Sequence, residues 1–208
     1  MFFKRKCKIT FIRHGSTINT EENRFFDDER FPAINETGRN EMEAISEWID
    51  NTGLKIDKIY TSPALRCVQS TRVLSDICSQ DFEILFSLTG RKNGIFSGLT
   101  IEEINKKYPG DIEKYYKTPE LYTPNGGESL EELNHRVDAI LQEIINKNKN
   151  KRLVIVTHGE IIQSAIANSL GIPLNKQFQI YVPPASATQI SYFEDFNSLI
   201  YSSYIPRR

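Results

Sequence analysis

Ile9-Thr10-Phe11-Ile12-Arg13-His14-Gly15 and Leu153-Val154-Ile155-Val156-Thr157-His158-Gly159 decide how this chain is read. Each is a short apolar run of β type closed by a histidine and a glycine, and the second opens directly into a helical pattern. Apolar runs of this length bounded by glycine predict buried strands, so both imidazoles are expected at the carboxyl ends of strands. In an open α/β sheet that edge is where ligands bind. One His-Gly after a strand is ordinary turn punctuation. Two in matching contexts predict two imidazoles facing one site.

Outward from these runs, Ser16 to about Asn35 is a polar, charge-rich loop holding Phe25, Phe26 and Phe31. Asn35-Glu36-Thr37-Gly38 introduces an amphipathic helix through Trp48 and Ile49, stopped by Asn51-Thr52-Gly53. Ile56 to Thr61 predicts a second strand. Ser62-Pro63 follows, and proline at a first helical position suits a helix from Ala64 to about Cys78. Phe82 to Phe86 predicts a third strand. From Ser87 to Gly127 glycine and proline recur, with one short helix expected over Thr100 to Lys107, and the segment reads as an insertion over the active edge. Ser129 caps a helix from Leu130 to about Lys147, whose Leu133, Val137, Ile140, Leu141 and Ile144 share one face. After the strand Leu153 to Thr157 comes a helix from Glu160 to Leu170, ended by Gly171 and Pro173. Phe178 to Val182, Thr188 to Phe193 and Leu199 to Tyr204 read as strands, the last two forming a hairpin. Alternating strands and helices predict a three-layer α/β/α sandwich on a mostly parallel sheet, made mixed by that hairpin. One domain is expected over residues 1–208, with 87–127 as its cap-like insertion.

Bulk properties narrow the function classes. The chain has 208 residues, 39% hydrophobic and 25% charged, which is ordinary for a soluble globular domain. A formal net charge of −1 gives no global field favouring nucleic acid or acidic membranes, so any anion preference must be local. Cys7, Cys67 and Cys78 are too few and too scattered for a disulfide framework or a zinc site, which suits a reducing, cytoplasmic setting. The basic start, Met1-Phe2-Phe3-Lys4-Arg5-Lys6, lacks the apolar stretch of a signal peptide, and no run approaches a membrane span.

The remaining chemistry gathers near the two histidines. Arg13 precedes His14, and a guanidinium forks onto phosphate oxygens. Arg66 falls in the first turn of the helix behind Ser62-Pro63. Gly159 opens another helix, and helix starts favour anions through free N–H groups and the dipole. Asn19 adds an amide donor. Singly, Arg13 could be a surface residue, Arg66 a solvated helix charge and Asn19 a turn residue, while His135 reads as exposed and unrelated. Jointly they are enough to wrap a phosphoryl group. Such a site needs no cofactor and no metal, because the arginines neutralise the charge.

These residues give the chain a resemblance to the histidine phosphatase superfamily, the phosphoglycerate-mutase-like proteins, over nearly its whole length. Arg13-His14-Gly15-Ser16-Thr17-Ile18-Asn19 looks like the family's signature loop, and Asn35-Glu36-Thr37-Gly38 like its "Leu-Thr-x-x-Gly" helix start. Ser62 to Thr71 matches the segment supplying the second arginine. Gly126-Gly127-Glu128-Ser129 and Thr157-His158-Gly159-Glu160 match two further signatures. The resemblance implies that His14 is the nucleophile and carries a transient phosphohistidine. It further implies that Arg13, Asn19, Arg66 and His158 hold the phosphoryl oxygens, with His158 as a donor.

One position departs from the family pattern. The family's proton donor normally stands in Leu-x-Glu-x-x-x-Gly after the third strand; here the stretch is Leu88-Thr89-Gly90-Arg91-Lys92-Asn93-Gly94, so Gly90 takes the acid's place. A positioned general acid contributes about 10²–10⁴-fold, or roughly 3–5 kcal/mol of barrier, and the loss falls hardest on basic alkoxide leaving groups. Asp27, Asp28 and Glu128 are candidate replacements, with Glu160 ranked behind them. Arg91 and Lys92 add positive charge beside Gly90 and hint at a more anionic substrate, although solvated loop charges would look the same. The sequence expectation is a phosphatase acting on a small phosphorylated metabolite. The alternatives are a catalytically weakened phosphate-compound-binding or regulatory module and, less favoured, a phosphoglycerate mutase.

Overall fold

The computed structural model describes residues 4–27, 31–53 and 55–206. Six strands occur among them: β1 (Arg5–Arg13), β2 (Lys58–Thr61), β3 (Phe82–Ile84), β4 (Arg152–Thr157), β5 (Ala187–Phe193) and β6 (Asn197–Tyr204). The α-helices are α1 (Ile18–Glu21), α2 (Glu36–Asn51), α3 (Leu65–Cys78), α4 (Ile101–Lys107), α5 (Asp111–Lys117), α6 (Leu130–Lys147) and α7 (Gly159–Leu170). The strands form one sheet in the order β3-β2-β4-β1-β5-β6. Pairings β3–β2, β2–β4 and β4–β1 are parallel, whereas β5 runs antiparallel to both β1 and β6, so the sheet is mixed as expected.

The period of two along the central strands sorts side chains to two faces. Leu153 and Ile155 of β4 join Cys7, Ile9 and Phe11 of β1 in a cluster covered by α6 and α7. Val154, Val156 and Ile12 point the other way, against Met42, Ile45 and Ile49 of α2 and Leu74 of α3. The result is the three-layer arrangement. β1 and β4 lie side by side in register, Arg13 opposite Thr157, so the two His-Gly turns emerge together. At the far end of α2, Trp48 packs on the outer strand, with its ring 4.5 Å from that of Tyr204 and 5.9 Å from that of Tyr201.

Several helix starts follow their capping residues. Asn35 accepts from the Gly38 amide, and Thr100 and Ser129 form reciprocal capping boxes with Glu103 and Glu132. Three local expectations are corrected. The loop after His14 contains α1, a single turn closed by a Thr17–Thr20 capping box. Residues 178–182 do not form a strand: Leu174–Gln179 is a 3-10 segment entered from Pro173. It is fixed by Gln177, which is buried and accepts from Asn134, and Val182 gives its carbonyl to Arg13 instead of a ladder. The turn-rich segment also holds a second helix, α5, and a small apolar cluster of its own. Phe96, Ile104, Ile112 and Tyr115 are buried there, with Phe25 packed against them.

Gly38 explains its motif. A Cβ at this position would lie 2.1 Å from the Ser16 carbonyl oxygen and 2.6 Å from the Ser16 amide nitrogen, so α2 meets the signature loop backbone to backbone. Gly38→Ala is expected to lower stability by about 1–3 kcal/mol through overpacking, read as a lower urea midpoint. An unchanged midpoint would contradict this contact.

Candidate active site

Each site residue is fixed by the end of a regular element. His14 follows β1, with its amide donating to the Thr157 carbonyl at 3.0 Å. The next turn is anchored from two helices: the Gly15 amide donates to Ser70 Oγ of α3 at 3.0 Å, and Glu41 of α2 accepts from both the amide and the hydroxyl of Ser16 at 2.9 Å each. His158 caps α7 directly after β4. The two imidazole centroids are 5.4 Å apart, edge to face at 69°, and both rings are buried.

The ring nitrogens have distinct partners. His14 Nδ1 lies 2.9 Å from the Gly15 carbonyl oxygen, which can only accept, so Nδ1 carries the proton and Nε2 keeps its lone pair. His158 Nδ1 lies 3.2 Å from Arg66 Nη2, which can only donate, so Nδ1 accepts and Nε2–H faces Ser62 Oγ at 2.9 Å. Burial, then the Arg66 and Arg13 charges, hold His14 well below the usual imidazole range, against the opposing pull of the Gly15 carbonyl. Burial, Arg66 and the neighbouring His14 do the same to His158. Both rings are therefore neutral near pH 7.

This has a pH consequence with a definite sign. The unfolded chain takes up protons on these rings near pH 6.5 while the native protein does not. Their contribution to stability is thus full above that pH and is lost as pH falls toward the lower native values. The His14 and His158 ring-proton NMR signals should stay at their neutral positions from pH 7.5 to 6.0. Either one moving with a midpoint near 6.5 would contradict the assignment.

A cavity of about 750 Å³ opens over this edge. Arg13, His14, Asn19, Arg66, Gly90, His158, Gly159 and Glu160 all border it, so the residues expected to bind phosphate are brought together. Arg13 donates through Nη1 to the Val182 carbonyl at 2.7 Å, while its buried Nε has no partner. Asn19 Nδ2 is likewise buried and unpartnered. An amide donor left unsatisfied beside two guanidiniums suits an anion that completes its bonding. His135, 80% exposed and 3.9 Å from Glu131, is remote from this chemistry as expected.

The candidate acids separate sharply. Asp27 accepts from the Asn93 amide and side chain and from the Gly94 amide, pinning the loop. Glu128 is held by Arg136 through two contacts of 2.8 Å. Neither borders the cavity, and Asp28 lies outside the described residues. Glu160, ranked last in the sequence, does border it. Gly90 faces the His158 ring: a Cβ there would lie 3.3 Å from Cγ and 3.4 Å from Nδ1. Sequence reasoning assigned no role to Glu41, Ser62 or Ser70. Ser62 and Ser70 stand inside the Ser62 to Thr71 segment and Glu41 three residues beyond Gly38, and their contacts are tertiary.

A model of the histidine phosphatase superfamily (branch 1) matches residues 9–202. Phosphoglycerate mutase-like protein 4 of Arabidopsis thaliana is 30% identical over 161 residues, covering 76% of this chain and 69% of its own length. Phosphoserine phosphatase 1 of Hydrogenobacter thermophilus is 25% identical over 171 residues, 81% of this chain and 79% of its own. Among solved structures, Bacillus stearothermophilus YhfR has a TM-score of 0.89 at 21% identity, covering 96% of this chain and 98% of its own. With its signature loop, second arginine and paired imidazoles converging at one sheet edge, the chain belongs to the histidine phosphatase superfamily.

Proposed function

We propose that this chain hydrolyses a small phosphomonoester through a phosphohistidine at His14. The observation that carries the reading is the His14 ring: neutral, held by the Gly15 carbonyl through Nδ1, and left with Nε2 as its nucleophilic nitrogen. In this scheme Nε2 attacks phosphorus in line. The N–P bond forms as the P–O bond breaks, and the electron pair goes to the leaving oxygen. Arg13, Arg66, Asn19 Nδ2 and the start of α7 at Gly159 take up the charge spread over the three equatorial oxygens. Water then attacks the phosphohistidine, the pair returns to Nε2, and phosphate departs.

His158 holds Arg66 in this arrangement. Its own donation to the phosphoryl group needs the ring proton on Nδ1, which the Ser62 hydroxyl permits by turning to donate to Nε2. In this scheme Glu160, which borders the cavity beside His158 and Gly159, exchanges a proton with the leaving oxygen or the incoming water. The guanidiniums supply the neutralisation, so no cofactor enters the scheme. Cys7 and Cys78 are free thiols, and no helix among the described residues is long and apolar enough to cross a membrane. A reducing cytoplasm suits this reading.

Gly90 favours a second reading, in which a weakened enzyme serves as a binding or regulatory module. Phosphate release from p-nitrophenyl phosphate and a panel of metabolite phosphomonoesters separates the two. Hydrolysis predicts release; silence throughout, with measurable binding of the same compounds, would replace it with the binding module. Interconversion of 2- and 3-phosphoglycerate without phosphate release would point to a mutase instead.

A further inference from the structure

Arg91 does not behave as a loop charge in solvent. It is 3% exposed, clamped by its Nε donating to the Glu128 carbonyl at 2.9 Å and its Nη1 to the Tyr115 hydroxyl at 3.0 Å. Its guanidinium carbon lies 5.1 Å from the centre of the Tyr115 ring and 5.8 Å from that of Phe178. No carboxylate among the described residues forms an ion pair with it, because the nearby Glu128 side chain is turned to Arg136. Its remaining nitrogen, Nη2, is buried with no hydrogen-bond partner, and the residue borders the same cavity as His14 and Arg66.

A buried cation without a counter-charge is expensive to keep. Here it is held rigid, one residue beyond Gly90, which itself faces His158. Two of its three guanidinium nitrogens are fixed by protein, and the third is left unpartnered in a residue that lines the cavity. Arg24, another arginine of the same cavity, is by contrast paired with Glu22 and Glu103. A planar guanidinium so placed matches a second oxyanion.

We propose that Arg91 forms a second anion subsite, which binds a carboxylate or phosphoryl group carried on the leaving-group side of the phosphomonoester. This assigns the substrate class of the proposed phosphatase as doubly anionic compounds, and it rests on the reading of the His14 site as the phosphoryl site. Arg13 and Arg66 hold the phosphoryl to be transferred, and Arg91 selects what it is attached to.

Calorimetry on the His14→Ala protein tests this without turnover, so failure of hydrolysis and failure of the subsite remain distinguishable. Glycerol 3-phosphate and 3-phosphoglycerate differ only in a carboxylate, and fructose 1,6-bisphosphate against fructose 6-phosphate differs by a second phosphoryl. At least one doubly anionic compound should bind about 10- to 100-fold tighter than its partner, as a charge-assisted bond allows. Which pair shows it identifies the group. That ratio should collapse toward one when Arg91→Met is added, and fall partway with Arg91→Lys, which keeps the charge and loses the fork. Equal binding within both pairs would overturn the proposal even if Arg91→Met did not fold. So would a ratio that survives both replacements.

Discussion

His14→Ala should abolish phosphate release from p-nitrophenyl phosphate, a loss of about 10⁴-fold or more, the scale on which disabling one member of a catalytic unit acts. The size follows from the site's economy of parts. Arg66 and His158 are bonded to each other and Ser62 backs His158, so no second ring nitrogen is positioned as a nucleophile. Alanine leaves the phosphoryl cradle in place, so inorganic phosphate should still bind while turnover disappears. In the parent, rapid quenching with substrate should trap one phosphoryl group on the peptide containing His14. His135→Ala, remote and exposed, serves as the control and should retain full activity. Substantial residual hydrolysis in His14→Ala would remove the phosphohistidine from the scheme.

Gly90→Glu should raise turnover of alkyl phosphates by about 10²-fold, the lower end for a positioned general acid, and of aryl phosphates much less. The difference comes from the leaving group: an alkoxide needs a proton as the P–O bond breaks, a nitrophenolate hardly at all. The backbone permits the change. Gly90 is not among the glycines with left-handed φ, and the three atoms nearest a new Cβ all belong to the His158 ring, at 3.3–3.6 Å. That contact requires a shift of a few tenths of an ångström by a side chain. If Glu160 already supplies the proton, Glu160→Gln should depress alkyl more than aryl turnover, and Gly90→Glu should restore it in the double variant. Equal effects on both substrate types would show that the acid does not belong beside His158.

The convergence at the sheet edge was legible because it rests on strands. Ile9 to Ile12 and Leu153 to Val156 are short, apolar and punctuated, and parallel neighbours deliver their ends to one place. The helices were legible through Asn35, Thr100 and Ser129, whose caps are local chemistry. The segment 178–182 was not, because its apolar letters suit a strand while Pro173, the buried Gln177 and the Arg13–Val182 bond impose another path. The candidate acids separate only in three dimensions, for a related reason. Asp27 and Glu128 look available in sequence, and only tertiary contacts with Asn93 and Arg136 show them to be occupied. Arg91 reads first as a solvated loop charge, and only the Tyr115 hydroxyl of α5 and the Glu128 carbonyl show it to be held inside.

The placement of the lone tryptophan offers an optical handle. Trp48 sits about 15 Å along its helix from Gly38, at 1.5 Å per residue, stacked on aromatic residues of the sheet's final strand. Its emission should therefore report whether that border strand is zipped onto the protein, and stay indifferent to occupancy of the cleft. Fluorescence thus gives a clean thermometer of global folding for every variant above, uncontaminated by what each one binds.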